Sequence, residues 1–278
     1  MNKPVRWHSL VLCLSLLPAA GLRAQTPADT LSCVGSLPLQ ALLATADNLG
    51  YVYLLSDKNA VEKYAPDGRL LARYTNNRLG RLSALDVSNP MKVLLWYADF
   101  RTLVLLDRNL TLLGELNLIR AGFPEVNVVA AASDGHLWIY DEVAFQLRKI
   151  TAAGEIRFES QALNQLQTQR FNLRAIHDNG HEVLAADPAN GILWFDVYGQ
   201  FQKQLPWTGI QAFVLEDNRL AYLADSTLHL EQLYVLASAQ LPLPGPARLP
   251  EARCWLAAGY LLVQETERLS IWRWPKSN

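Results

Sequence analysis

The stretch "LLSDKNAVEKYAPDG", residues 54–68, contains two short apolar segments, each followed by an acidic residue. The first segment leads into Asp57, and the second leads into Asp67 and Gly68. Short segments rich in Val, Leu and Tyr that are separated by Asp, Asn and Gly are typical of β-strands joined by tight turns. The stretch therefore predicts two antiparallel strands with a turn after each.

The same pattern recurs along the whole chain. An apolar run that ends near an acidic residue and is followed by a second apolar run occurs at Asp57, Asp99, Asp141, Asp187, Asp225 and Glu265, with spacings of 42, 42, 46, 38 and 40 residues. Another apolar segment precedes each pair, and in most copies a fourth follows. Four strands in about 40 residues, repeated radially, are typical of a propeller blade. We predict an all-β fold, a six-bladed β-propeller with four antiparallel strands per blade.

The two ends of the repeat region predict how the ring closes. The last copy stops after three strands, at "LSIWRWPKSN", whereas "TLSCVGSL" near the start has no copy of its own. We therefore predict that residues 31–37 form the outermost strand of blade six. Cys33 and Cys254 would then lie three strand spacings apart, about 14 Å, which is beyond the ~7 Å limit for a disulfide. The sequence predicts two unpaired thiols.

Residues 1–24 have the organisation of a secretory signal. Lys3 and Arg6 precede the apolar stretch "SLVLCLSLLPAAGL", and the small residue Ala24 stands at the expected cleavage site. The apolar stretch is shorter than the ~20 residues needed to span a bilayer as a helix. We predict an exported protein that does not span the membrane, located in the periplasm or outside the cell or associated with the envelope. Residues 25–278 are predicted to form a single propeller domain.

The charge balance excludes one class of partner. The chain has 25 basic and 26 acidic residues, and removal of the signal with Lys3, Arg6 and Arg23 leaves 22 basic residues against 26 acidic ones. A net charge of −4 on that mature chain argues against a nucleic-acid partner, because phosphates are bound by basic surfaces. We expect a monomer.

The first copy also resembles a known family. "DNLGYVYLLSD" at residues 47–57, continued by "VEKYAPDGRLL", is similar to the recurring stretch of NHL-repeat propellers, in which Asp and Asn precede a Val and a second Asp and Gly follow an aromatic residue. The similarity is good in blade one, moderate in blade three and poor in blades four to six. The resemblance implies a six-bladed ring of the kind found in exported bacterial propellers without an established activity.

Two motifs suggest metal binding and are better explained by turns. "DKN" at residues 57–59 begins like a calcium loop, but Val61 stands where a further oxygen ligand is needed. An Asp at the same place in five copies is instead expected to accept backbone N–H groups across the turn. His177 and His181 have a spacing that suits a helix, yet "HDNGH" predicts a hairpin, where the two side chains do not converge. We predict no metal and no cofactor.

Aromatic residues recur at related strand positions, namely Trp96, Trp138, Trp194 and Trp272. They are expected to pack between neighbouring blades. The loop "NNRLGRL" at residues 76–82 leads into an inner strand, and such loops line the mouth of a propeller channel. The matching polar positions give a tentative binding site of Arg78, Arg81, Asn127, Asn172, Gln211, Glu251 and Arg253, with Gln40 at the matching place in blade one. The alternative is that these strand starts are simply hydrated.

Two function classes remain open. The favoured one is an exported, non-catalytic propeller that acts as a binding or scaffold module in the cell envelope, with a protein, peptide or glycan on its channel face. The sequence contains no G-x-S-x-G elbow, C-x-x-C, P-loop or dinucleotide fingerprint. The alternative is a divalent-metal-dependent hydrolase or lactonase of the six-bladed type, in which Glu251, Asn127 and Asn172 would supply oxygen ligands.

Overall fold

A computed structural model describes residues 30–275 apart from residues 90, 167–170, 236 and 250. These residues form six sheets of four antiparallel strands, and each sheet is built from strands that are consecutive in the chain except where the ring closes. The prediction of an all-β, six-bladed propeller is confirmed. The predicted signal at residues 1–24 lies outside the described residues. Among those described, no helix is long and apolar enough to cross a membrane.

The strands of each blade are given from the channel outward. Blade one contains β2 (Leu43–Ala46), β3 (Val52–Leu55), β4 (Ala60–Tyr64) and β5 (Leu70–Thr75); blade two contains β6 (Ala84–Asp86), β7 (Lys92–Tyr97), β8 (Thr102–Asp107) and β9 (Leu112–Asn117); blade three contains β10 (Val126–Ala131), β11 (Leu137–Asp141), β12 (Gln146–Ile150) and β13 (Ile156–Glu159). Blade four contains β14 (Ala175–Asp178), β15 (Glu182–Asp187), β16 (Gly191–Asp196) and β17 (Phe201–Leu205); blade five contains β18 (Ala212–Glu216), β19 (Arg219–Ala224), β20 (Thr227–Gln232) and β21 (Ser238–Pro242); blade six contains β22 (Arg253–Ala257), β23 (Tyr260–Gln264), β24 (Leu269–Arg273) and β1 (Ser32–Leu37). Short 3-10 segments lie in the connections at Ala98–Phe100, Leu163–Gln165 and Gly245–Arg248.

Strand β1 closes the ring, as predicted. It pairs antiparallel with β24, from Ser32 opposite Arg273 to Leu37 opposite Leu269. Cys33 lies on this outermost strand and Cys254 lies on the innermost strand of the same blade, and both are free thiols. Burial raises the pKa of the Cys254 thiol. The two cysteines are therefore held on opposite edges of one sheet.

The hydrophobic core lies between the blades. The second strand of each blade is largely buried on both faces, as in the all-buried β3, so its sequence is mostly apolar. The third strands mix buried apolar positions with partly exposed polar ones, as in β20. Trp96, Trp138 and Trp194 are each at most 5% exposed and pack between neighbouring blades, as the sequence predicts. Trp272 is half-buried and packs against the core between blades five and six. Stability of the ring thus depends on six apolar interfaces rather than one central core.

The repeated acidic anchors do not all act in the same way. Asp141 Oδ1 accepts the N–H groups of Val143 and Ala144, and Asp187 Oδ1 accepts those of two residues in its own turn, as predicted. Asp57 is exposed, and its carboxylate forms no hydrogen bond within the described part of the chain. In that turn Ser56 Oγ accepts the N–H of Ala60 at 3.4 Å instead. Asp67 does behave as a turn residue, since it accepts the N–H of Arg69 at 3.0 Å.

Candidate functional site in the central channel

The six inner strands surround an open central channel. Its cavity has a volume of about 870 Å³ and is lined by residues from all six blades. Each inner strand is paired on one side only, so its other edge presents unpaired backbone N–H and C=O groups towards this space. The channel is therefore a concave site that already carries hydrogen-bonding groups before any side chain is considered.

Small side chains keep the channel wide. Ala44, Ala84, Ala175 and Ala212 all line it, and each comes from a different inner strand. An alanine extends only one carbon from the backbone, so four such positions leave space that larger residues would fill. The middle of the channel is consequently apolar and open, and polar side chains are concentrated at its two ends.

We call the end at which the inner strands begin the start mouth, and its lining includes Asn127, Arg174 and Gln211. Asn127 Nδ2 donates a hydrogen bond to Glu142 Oε1, and the backbone N–H of Gln211 donates to the carbonyl of Leu223. Asn127 and Gln211 are predicted site residues, and the structure brings both to the cavity. Arg174, which lies just before β14, is a lining residue that the sequence prediction missed.

The other predicted site residues lie outside the cavity lining. Arg78 is exposed in a turn, where its N–H donates to Asn76 Oδ1, and Asn172 donates its N–H to Asp187 Oδ2. The remaining predicted residues are exposed on the surface around the start mouth, namely Gln40, Arg81, Glu251 and Arg253. Gln40 Nε2 donates a hydrogen bond to the Thr266 carbonyl. The loop from an outermost strand crosses the face of the blade before it reaches the channel. Of the predicted residues, Asn127 on β10 and Gln211 next to β18 enter the cavity, whereas Arg253, the first residue of β22, does not.

The oxygen ligands proposed for a metal are not brought together at this cavity. Asn127 lines it, whereas Asn172 and Glu251 do not. Within residues 30–275, gaps aside, no group of three or more His, Cys, Asp or Glu side chains is arranged to hold a metal ion. His177 and His181 lie on β14 and in the following turn, so the predicted hairpin is present there.

The opposite end of the channel is rich in carboxylates. We call it the acidic mouth, and it is defined by Asp47, Asp86, Asp178, Glu216 and Asp217. All of them lie at or just after the end of an inner strand, where the chain turns back into the second strand. Since Arg174 at the start mouth is the cation among the cavity-lining residues described, the channel has a negative end and a more positive end.

Backbone and indole N–H groups hold several of these carboxylates in place. Asp47 is 1% exposed and accepts hydrogen bonds from the N–H groups of Leu49 and Tyr51 and from the Tyr53 hydroxyl. Asp178 accepts the Gly180 N–H at 2.7 Å and the Trp138 indole N–H at 2.7 Å. These donors are neutral and do not cancel the carboxylate charge, although the Lys63 ammonium interacts electrostatically with Asp47.

The other three acidic residues differ in their hydrogen bonds, ion pairs and exposure. Asp86 accepts the N–H of Ser88 at 2.8 Å and that of Ala131, in the next blade, at 2.8 Å. Glu216 forms an ion pair with Arg219 at 3.0 Å. Asp217 is exposed, and its backbone carbonyl accepts a hydrogen bond from Asn179 Nδ2. In the described part of the chain, Glu216 is thus the acidic-mouth carboxylate that forms an ion pair.

A signal for this mouth is present in the sequence. The first segments of four copies end in acidic residues, in "LLATAD", "LSALD", "LRAIHD" and "AFVLED". Each acidic residue alone resembles an ordinary turn residue, so the segments by themselves predict only strands. Their recurrence at the ends of inner strands, rather than after the second strands, is the feature that predicts a charged ring.

Two further cavity-lining side chains are notable. His177 packs edge-to-face on Phe213, with ring centroids 4.7 Å apart. Burial lowers the pKa of His177, and the Asp86 carboxylate opposes that shift, so the imidazole is neutral at neutral pH. Trp96 is 2% exposed, and its indole N–H has no hydrogen-bond partner within the described residues. The indole nitrogen is itself buried, so this donor lies inside the wall and is not open to the cavity.

Comparison with known structures supports the fold and goes no further. A catalytically inactive virginiamycin B lyase from Staphylococcus aureus, with quinupristin, is 12% identical with a TM-score of 0.56 and covers 89% of this chain and 96% of its own. A streptogramin B lyase is 13% identical with a TM-score of 0.56, covering 90% and 81% respectively. A chain of a mitotic checkpoint complex is also 13% identical with a TM-score of 0.56, covering 97% and 99%. No protein-family model matches the sequence, and no curated protein does.

Proposed function

We propose that this protein is an exported, non-catalytic propeller that binds its ligand in the central channel and acts as a binding or scaffold module of the cell envelope. The channel itself carries the proposal. A cavity of about 870 Å³ falls within the range of about 300–1,000 Å³ typical of ligand sites, and all six blades contribute to it. A peptide, a protein segment or a glycan of matching width would occupy it.

The chemistry of the lining favours binding over catalysis. The carboxylates of Asp47, Asp86 and Asp178 are held by backbone and indole donors, which suits fixed charges better than groups that exchange protons. The similar structures include lyases, so this fold can support catalysis, but identities of 12–13% carry no activity over to this chain. The proposal therefore depends on the geometry of the channel and not on those enzymes.

Occluding the channel tests this function directly. The purified mature protein would be probed against arrays of immobilised peptides and glycans, together with the double variant Asn127→Trp/Gln211→Trp, which places two large side chains at exposed positions of the lining. The matched control is Asn109→Trp/Gln202→Trp, which makes the same changes at exposed positions away from the channel. We expect ligands that bind wild type and the control to bind the occluded variant at least about 10-fold more weakly, since the wall contacts are lost. Equal binding to all three proteins would contradict a channel site.

A second measurement addresses the hydrolase alternative. The same protein would be assayed against a panel of lactones and esters, with and without added calcium, and its unfolding temperature would be followed in parallel. We expect no turnover and no calcium-dependent stabilisation, because bound calcium would stabilise the folded state by mass action. Turnover that disappears in the occluded variant would replace the binding proposal with an enzymatic one.

Export and the envelope location form a separate part of the proposal, supported by the sequence of residues 1–24. Cleavage after Ala24 would leave Gln25 as the first residue of the mature chain. The mass of the protein recovered from fractionated cells tests this. A full-length protein in the cytoplasmic fraction would contradict export and leave the channel proposal intact.

A further inference from the structure

Trp255 differs from the other tryptophans that the structure describes. Trp96 and Trp274 are each 2% exposed, and their indole nitrogens are buried. Trp255 is partly exposed, and within the described residues it forms no hydrogen bond and no ring contact. The remaining tryptophans are each engaged by a neighbouring group, through the ring or through the indole N–H: Trp138, Trp194, Trp207 and Trp272.

The position of Trp255 opens its ring to the central channel. It lies in the middle of β22 and belongs to the cavity lining. It packs at the interface between blades six and one, where its neighbours include Ala44 and Ala46, each at most 4% exposed. Alanine side chains are too small to cover an indole, so part of the ring remains accessible from the cavity. The wall therefore offers apolar area together with one N–H donor.

The lining also contains neutral polar side chains that no group in the described part of the chain engages. The Thr45 hydroxyl, the Ser133 hydroxyl and the Gln211 amide line the cavity and form no hydrogen bond within that part. They come from blades one, three and five, so they surround the space that Trp255 faces from blade six. Hydroxyl and amide groups both donate and accept hydrogen bonds. The site thus supplies donors and acceptors without charge.

These features specify the ligand more closely than the proposed function does, and the inference rests on that function. We propose that the channel binds an uncharged glycan chain, with one sugar ring stacked on Trp255 and its hydroxyls bonded to the neutral side chains of the wall. One face of a pyranose ring carries mainly C–H groups, which suit the negative face of an indole, and its hydroxyls both donate and accept. An acidic sugar would bring its carboxylate close to those of the acidic mouth, which repel it.

The test uses neutral tetrasaccharides as probes. Cellotetraose, maltotetraose and chitotetraose would each be titrated into the mature protein and followed by NMR, with the indole proton of Trp255, assigned through Trp255→Phe, as a local reporter. We expect at least one of them to bind with a Kd of about 1 mM or below and to shift this resonance. The indole resonance of Trp274, which is buried outside the channel lining, is expected to stay unchanged.

A charged form of the same probe tests the neutral character of the site. Oxidising the primary hydroxyls of the tetrasaccharide that binds to carboxylates keeps its rings and adds negative charge. We expect the oxidised form to bind roughly 10-fold more weakly, and the difference to shrink with added salt, because the acidic mouth repels it.

Two matched pairs of variants locate the sugar. Trp255→Ala removes the stacking surface, and Trp207→Ala makes the same change at a partly exposed tryptophan outside the lining. We expect the first to weaken binding at least about 10-fold and the second to leave it unchanged. Thr45→Val keeps nearly the same shape without the hydroxyl, so it tests the site even where Trp255→Ala does not fold. We expect a loss of roughly 3-fold, against no change for Thr266→Val, at an exposed threonine outside the lining.

The outcomes separate this inference from the proposed function. No binding of any tetrasaccharide at millimolar concentration, equal binding of the neutral and oxidised forms, or equal effects of the matched variants would overturn the glycan inference while leaving a channel ligand of other chemistry. Binding of acetyl-Gly-Phe-Gly-amide that shifts the Trp255 resonance, without binding of a tetrasaccharide, would assign the Trp255 surface to a peptide instead. Tetrasaccharide binding that ignores Asn127→Trp/Gln211→Trp would contradict the proposed channel site.

Discussion

Two neighbouring blade junctions can be compared, the one between blades two and three and the one between blades three and four. Each contains a tryptophan at the equivalent position, but the two tryptophans differ in their hydrogen-bond partners. Trp96 and Trp138 each stand three residues before their acidic anchor and face the next blade. Trp138 donates to Asp178 at 2.7 Å and has Lys149 Nζ 4.8 Å from its ring, whereas Trp96 has no hydrogen-bond partner in the described part of the chain. Equivalent positions in a repeat fold thus share packing but not polar chemistry.

The largest effect is expected where the polar junction is broken. Asp178→Ala leaves the Trp138 indole N–H buried without an acceptor and also removes the acceptor of the Gly180 N–H. We expect the free energy of unfolding to fall by about 2 kcal/mol, the typical cost of an unsatisfied buried donor. Urea denaturation measures it. A decrease below about 0.5 kcal/mol would mean that the Trp138–Asp178 hydrogen bond contributes little to stability, so that the two junctions would not differ energetically.

A smaller effect is expected at the other junction. Asp86 Oδ2 accepts the N–H of Ala131 across the boundary between blades two and three, so Asp86→Ala removes the bond that links the two inner strands there. Because Asp86 is partly exposed to the channel, water can replace part of the interaction, and we expect a loss of about 1 kcal/mol. The control is Asp99→Ala, an exposed anchor of the same blade. A loss for Asp86→Ala as large as that for Asp178→Ala would remove the distinction between the junctions.

The histidine of blade four gives a prediction for pH. Burial lowers the pKa of His177, partly opposed by Asp86 in blade two and by a hydrogen bond to the Phe213 backbone in blade five. The unfolded chain, with a histidine pKa of about 6.5, then binds the proton more readily than the folded one. The contribution of His177 to the free energy of unfolding is therefore fully present above about pH 6.5 and is lost as the pH falls from there towards the folded-state pKa.

We therefore expect the urea midpoint of wild type to decrease between about pH 7.5 and pH 5 by more than that of His177→Ala. Alanine is the residue that blades two and three carry at the same register, at Ala84 and Ala130, so the variant makes blade four resemble its neighbours. Parallel pH dependences for the two proteins would contradict a lowered pKa of His177, whose side chain is half-buried.

The smallest effect is expected at Asp57. Its carboxylate is exposed and forms no hydrogen bond within the described residues. Ser56 accepts the Ala60 N–H in that turn, and the Asn59 side chain bonds to Gly80 and Leu82 before blade two. Asp57→Ala should change the free energy of unfolding by less than about 0.5 kcal/mol, as surface substitutions usually do. A loss above about 1 kcal/mol would restore the turn role predicted for Asp57 from the repeat.

The fold was predictable because its information is local and repeated. Apolar runs of strand length, Asp and Gly at the turns, and spacings near 40 residues define each blade, and the missing fourth strand of the last copy places residues 32–37. The site was predictable only in part. Asn127 and Gln211 adjoin inner strands and reach the cavity, whereas Arg81 and Glu251 lie a few residues earlier and remain on the surface. A shift of two or three residues along a crossing loop decides this, and such a shift leaves no trace in the repeat pattern.

By itself, the sequence determined an all-β ring of six blades closed by its N-terminal strand, with two separate thiols, because each of these follows from the order of strands along the chain. Only the tertiary structure decided which end of the channel carries the charge and which side chains face it. Asp47, Asp86, Asp178 and Asp217 are far apart in the chain and converge only when the ring closes. Trp96 and Trp138 stand at equivalent places in the sequence, but only Trp138 meets an acceptor on the next blade, whereas the buried indole N–H of Trp96 has no partner among the described residues.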